Sequence, residues 1–156
     1  MEKPKACCGF GHRDVFQNIT GKVDKAVLKT VGLGCEVFYT GAMGEFDNIF
    51  SSAVRKAKID YPDIRLICIK PYLTMDIITK SNHCNDMYDD IIIPTELADI
   101  HYKSVITKRN RLMIEKSDIV IIYNIRDYGG AYQALKYAES KNKEIIRITR
   151  DRSDKK

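Results

Sequence analysis

The sequence has no long hydrophobic run. Its longest aliphatic stretches, Ile91-Ile92-Ile93 and Ile119 to Ile122, are far too short to cross a bilayer. Its five cysteines (Cys7, Cys8, Cys35, Cys68 and Cys84) form no C-x-x-C pair, which argues against a structural zinc site. Their number is odd, and Cys7, Cys35 and Cys68 sit in apolar strand-like runs where a thiol behaves as a small hydrophobe. A disulfide framework is therefore not expected. The opening Met1-Glu2-Lys3-Pro4-Lys5 lacks the apolar region of a signal peptide, so a cytoplasmic location without a membrane partner is expected. No basic stripe interleaved with aromatics runs along the chain, and this argues against nucleic acid as a partner. Neither a metal nor a cofactor is expected.

What remains is ordinary for a globular protein. The 156 residues are 44% hydrophobic and 30% charged, with a net charge of +5. This length suits one domain with a real core, over residues 1–150. Residues 151–156 read as a charged, solvated tail; Arg147, Arg150, Arg152, Lys155 and Lys156 concentrate basic charge at that end. A mildly basic balance also suits an anionic small ligand.

Hydrophobic periodicity alternates between strand and helix. Strands are predicted at Lys5 to Phe10, Cys35 to Thr40, Ile64 to Ile69, Ile91 to Ile93, Asp118 to Asn124 and Glu144 to Ile148. Helices are predicted at Asp24 to Val31, Asp47 to Ile59, Tyr102 to Lys116 and Gly130 to Lys141. Thr74 to Lys80 could be a further short helix. The irregular stretch 71–101 is long enough to be a lid or binding loop, with Tyr72 or Tyr88 available to stack on a base. Alternating units of this size imply an α/β protein with an open, mainly parallel sheet and helices on both faces.

Three glycine-bearing turns follow strands in this scheme. The first is Gly9-Phe10-Gly11-His12-Arg13, the second Gly41-Ala42-Met43-Gly44 with Asp47 beyond it, and the third Gly129-Gly130-Ala131. Parallel strands place all three at one edge, where open α/β sheets bind ligands. Glycine lets backbone N–H groups approach a phosphate, and a helix N-terminus favours negative charge. Arg13 could grip phosphate with its fork of donors, and His12 could donate to a phosphate or a ribose hydroxyl. Asp47 is either a helix N-cap or a partner for a ligand hydroxyl. Arg109 falls near the centre of the apolar face formed by Val105, Ile106, Leu112 and Met113. A charge there must be ion-paired, snorkel, or open into a polar crevice. Asn110 stands at the margin of the same face.

Together these segments resemble the YpsA-like branch of the SLOG superfamily, which also holds the Smf/DprA and LOG proteins. The matching motifs are Gly11-His12-Arg13, then Gly41, Gly44 and Asp47, then Arg109-Asn110-Arg111-Leu112-Met113 with Ser117-Asp118, and finally Gly129-Gly130-Ala131 with Tyr137-Ala138. The resemblance implies a Rossmann-like fold and a nucleotide or nucleotide-derived ligand. LOG proteins cleave the N-glycosidic bond of nucleoside monophosphates, using a Glu three residues after a Thr. Here those positions are Ala131 and Ala134.

Two functions follow. One is a binding module, a sensor or sequestering protein. The ligand would lie against Gly9, Gly11, His12, Arg13, Gly41, Gly44, Asp47, Arg109, Asn110, Gly129, Gly130 and Ala131. The other is an N-glycosidic-bond enzyme, a phosphoribohydrolase or deoxyribosyltransferase. Its catalytic carboxylate would be Glu45 or Asp47, with Glu96 and Asp127 as more distant candidates. Relatives often pair through helices, which leaves a homodimer as an option.

Overall fold

The computed structural model describes residues 4–72 and 87–149. Six strands form one sheet: β1 (Lys5–Phe10), β2 (Cys35–Thr40), β3 (Arg65–Ile69), β4 (Asp90–Ile92), β5 (Ile119–Ile122) and β6 (Glu144–Arg147). Their spatial order is β4-β3-β2-β1-β5-β6, and every pairing is parallel. The expected α/β, Rossmann-like open parallel sheet is thus present. Parallel sheets are covered on both faces, so their inner strands read as unbroken apolar runs. Ala6 to Phe10, Leu66 to Ile69 and Ile119 to Ile122 are all buried, whereas the short edge strands β4 and β6 are only partly covered.

Four helices supply the cover: α1 (Thr20–Gly32), α2 (Glu45–Asp60), α3 (Tyr102–Lys116) and α4 (Gly130–Ser140). Helices α1 and α2 pack one face through Val23, Val27, Phe46, Phe50 and Val54. Helices α3 and α4 pack the other through Met113, Ile114, Ala134, Leu135 and Ala138. A 3₁₀ turn, Thr95–Leu97, precedes α3. The candidate helix Thr74 to Lys80 and the tail 151–156 lie outside the described residues. No helix among the described residues is long and apolar enough to cross a membrane.

Two helices start earlier than their periodicity predicts. Helix α1 begins at Thr20 rather than Asp24, with Ile19 as an apolar N-cap that is itself core. Helix α2 begins at Glu45 because Gly44 is its N-cap, at φ 144° and ψ 178°. Gly129, the N-cap of α4, has φ 90° and ψ −177°. Both sit in a backbone region that is essentially reserved for glycine. Two helices on opposite faces of the sheet thus enter through the same glycine conformation.

Strand order reverses between β1 and β5. β1 and the strands to one side of it, β2 to β4, follow each other in chain order, and β5 and β6 continue on the other side. A crevice opens at such a reversal, beyond the carboxyl ends of the strands. The loops after β1, β2 and β5 all meet there.

Candidate functional site

A cavity of about 270 Å³ lies in that crevice. Ten of the twelve residues expected at a ligand line it: Gly11, His12, Arg13, Gly41, Asp47, Arg109, Asn110, Gly129, Gly130 and Ala131. The other two, Gly9 and Gly44, lie outside the lining. A Cβ on Gly9 would stand 2.7 Å from the Phe50 ring, and one on Gly44 would stand 2.9 Å from the Arg13 backbone. Gly11 lines the cavity, yet a Cβ there would stand 2.2 Å from Phe46. The glycines of the first turn therefore let the phenylalanines of α2 lie against the end of β1.

Arg109 is 3% exposed. Its Nη1 donates to the carbonyls of Ile69 (2.9 Å) and Gly41 (3.3 Å), at the ends of β3 and β2. Its Nε donates to Asn110 Oδ1 (2.9 Å), and Nη2 lies 3.4 Å from Met43 Sδ. Helix α3 thus reaches across the sheet and ties two strand ends together with one guanidinium. Carbonyl partners meet its hydrogen-bonding needs without neutralising its charge. Burial pulls its pKa down, and the nearby Asp47 opposes that shift.

Asp47 sits in the first turn of α2, three residues past the N-cap. Its Oδ2 accepts the Met43 N–H at 2.8 Å, so it closes the turn before the helix rather than capping it. Burial pushes its pKa up, against the pull of that hydrogen bond and of Arg109.

His12 is 6% exposed, and its Nε2 accepts the Ile125 N–H at 3.0 Å. That bond assigns the proton to Nδ1 and makes the ring a neutral acceptor on this side. Burial, and then Arg126, lower its pKa. The ring also stands edge-on to Tyr123, with centroids 5.6 Å apart. His12 therefore joins the loop after β1 to the loop after β5, and Nδ1–H remains as its donor.

Sequence reading missed Arg126 and Tyr128, which also line the cavity. The Arg126 guanidinium stands 5.7 Å from the Tyr128 ring centroid. A basic residue between a strand end and a glycine pair was the available signal. Among the described residues, Arg13, Arg109 and Arg126 thus line the cavity with one carboxylate, Asp47, and the first N–H groups of α4 open onto the same space. Nothing lies within 4 Å of a Cβ built on Gly129 or Gly130. The cavity thus combines positive charge, backbone donors and room.

Other expected participants lie elsewhere. Glu45 is outside the lining, and its Oε1 accepts the Val15 N–H at 3.0 Å. Asp127 is outside it too, and Glu96 borders a separate pocket. Tyr88 packs against the core, and Tyr72 lines a different, apolar groove.

The fold is Rossmann-like, with a crevice lined by arginines at the strand reversal. No protein-family model and no curated protein sequence matches this chain. Solved structures do share its fold. DNA processing protein A from Helicobacter pylori, described for its unique single-stranded DNA binding mode, superposes with a TM-score of 0.63 at 18% identity. That match covers 96% of this chain and 67% of the other. DNA processing protein A (DprA) from Streptococcus pneumoniae gives a TM-score of 0.70 at 16% identity, covering 97% of this chain and 52% of the other. The chain thus spans about two-thirds and about half of these two proteins. The likeness agrees with the Smf/DprA–LOG side of the resemblance at the level of fold.

The expectation that nucleic acid is not a partner is overturned. A neighbour of the same fold is described by how it binds single-stranded DNA. Part of the signal is local: Tyr132, Lys136, Tyr137 and Lys141 alternate aromatic and basic residues along α4 and just past its end. Lys136 lies 5.3 Å from the Tyr132 ring and Lys141 lies 5.5 Å from the Tyr137 ring, each pair four residues apart, and folding adds Arg111 of α3 over Tyr137 at 5.1 Å.

Proposed function

We propose that this protein binds a nucleotide through its phosphate in the crevice between β1 and β5, acting as a sensor or sequestering module. The observation that carries this reading is the convergence of Arg13, Arg109, Arg126 and the α4 N-terminus on one cavity. Arginine forks and free helix N–H groups both suit phosphate oxygens. Asn110 and the His12 Nδ1–H are left to orient sugar or base. We place the chain in the YpsA-like branch on its Gly11-His12-Arg13 and Arg109-Asn110 motifs. The single-stranded DNA binding of a fold neighbour fits the same unit of recognition, since each nucleotide of a strand presents phosphate, sugar and base.

A second reading, N-glycosidic cleavage, draws on Asp47. It is the one carboxylate among the described residues that line the cavity, and its raised pKa suits proton transfer. Binding without turnover stands ahead because Glu45 is engaged with Val15 and, among the described residues, no second carboxylate lines the cavity.

A thermal-shift screen tests the proposal with nucleoside monophosphates, ADP-ribose and oligothymidylate. A ligand at 100 times its Kd should add about 2.7 kcal/mol of stability. Arg126→Ala and Arg13→Ala should each weaken binding, and Arg109→Ala should abolish it. Absence of any shift across the panel, or a shift indifferent to all three variants, would overturn the reading. Release of free base that disappears in Asp47→Asn would move the assignment to the enzyme.

A further inference from the structure

The cavity does not end at the arginines. It shares Ile106, Asn110 and Gly130 with a second space of about 400 Å³ that runs between α3 and α4. This groove is mainly apolar, floored by Ile114 and Ala134 and flanked by Tyr132 and Tyr137. Its charged lining residues, Arg111 and Lys136, are both cationic. Lys136 also stands 3.5 Å from the exposed Glu139 carboxylate, and the Tyr137 hydroxyl donates to Glu115 at 2.8 Å. Both tyrosines are half-buried, and Tyr137 packs against the core.

From this geometry we infer that the site is bipartite and takes a dinucleotide unit. One phosphate sits at the α4 N-terminus among the arginines, and the second nucleoside lies in the α3–α4 groove. This rests on the nucleotide-phosphate reading of the first cavity. Three observations favour this occupant. The groove is continuous with the anion site through a shared wall. Its apolar floor with aromatic flanks matches the flat, weakly polar face of a nucleobase. Its cations match the linking phosphate, and among the described residues no carboxylate lines it. Two sources share this chemistry: a free pyrophosphate-linked dinucleotide, and adjacent nucleotides of a single strand.

The test compares three probes by calorimetry: AMP, diadenosine pyrophosphate and the 5′-phosphorylated dinucleotide pdApdA. Stacking of a second base should make at least one dinucleotide bind about tenfold tighter than AMP, or more. Which of the two gains the advantage identifies the source. Thr107→Phe, which fills the groove outside the first cavity, and Tyr132→Ala should erase that advantage and leave AMP affinity unchanged. Sedimentation of both variants, with melting temperatures of the unliganded forms, checks their folding and assembly. Equal affinities for AMP and both dinucleotides would overturn the bipartite site while leaving the phosphate site standing. Loss of a dimer in Thr107→Phe would overturn it in favour of a second copy in the groove. Failure of all three probes to bind would overturn both readings.

Discussion

A Cβ on Gly41 would stand 2.7 Å from the Arg109 guanidinium carbon and 2.8 Å from both terminal nitrogens. A Cβ on Gly130 would meet nothing within 4 Å. These two glycines of one cavity therefore answer to different physics. Gly41→Ala should lose about 1–3 kcal/mol in denaturant unfolding, because the guanidinium is held by carbonyls and cannot retreat. Gly130→Ala should fall within about 0.5 kcal/mol of the parent, so any effect it has on ligand binding reports the ligand itself. Arg109→Ala leaves the carbonyls of Ile69 and Gly41 without this donor, each at about 1–3 kcal/mol if no water replaces it. His12 makes a pH prediction. Its folded pKa lies below its unfolded value of about 6.5. Its contribution is thus complete above that pH and is lost as pH falls toward the folded value. His12→Gln keeps an acceptor for Ile125 but does not titrate, so chemical denaturation should show a shallower loss of stability just below pH 6.5. An unchanged slope would place the titration elsewhere. The importance of Arg109 was legible from its place on an apolar helix face. Its partners were not, because Ile69 and Gly41 are backbone groups 40 and 68 residues away.

At the scale of the element, the two glycine N-caps decide where helix dipoles point. Gly44 and Gly129 share a conformation that other residues adopt only with strain of about 1–3 kcal/mol. Gly129→Ala should show that loss in thermal unfolding. It should also weaken nucleotide binding by more than Gly130→Ala does, since the strain acts on the entry of α4 to the crevice. Equal effects of the two substitutions would mean that the α4 entry is not what positions the N–H groups. Strand identities were legible because buried parallel strands announce themselves as unbroken apolar runs. Helix starts were less so: a glycine N-cap carries no side-chain signal, and the apolar cap Ile19 reads as part of a loop.

At the scale of the molecule, the sheet buries its thiols. Cys7, Cys8 and Cys35 are free and buried, and Cys68 is buried as well. Burial pushes the Cys8 thiol up to about 12 and Cys35 up to about 11, and it raises Cys7 well above its usual range. Thiolate is the reactive form, so Cys7, Cys8 and Cys35 should resist an alkylating reagent in the native state and react together on unfolding. Mass spectrometry of the labelled peptides would read this directly, and fast native labelling of Cys7 or Cys8 would contradict the packing of β1. Chain order also sets the site's position. Strand order turns back between β1 and β5, so residues near 12, 42, 109 and 129 meet although they are far apart in sequence.

The sequence alone determined the alternation of strands and helices, the parallel sheet and most of the residues at its carboxyl edge. Period and turn chemistry are local properties, and they survive without a partner. Only the tertiary structure decided what each residue does there. It turned Gly9 and Gly11 toward phenylalanine rings, made His12 an acceptor, gave Glu45 to Val15, and added Arg126. It also brought Arg111 of α3 over the Tyr137 ring of α4. Those outcomes depend on which groups approach within a few ångströms, and that distance is fixed by packing between segments rather than by spacing along the chain.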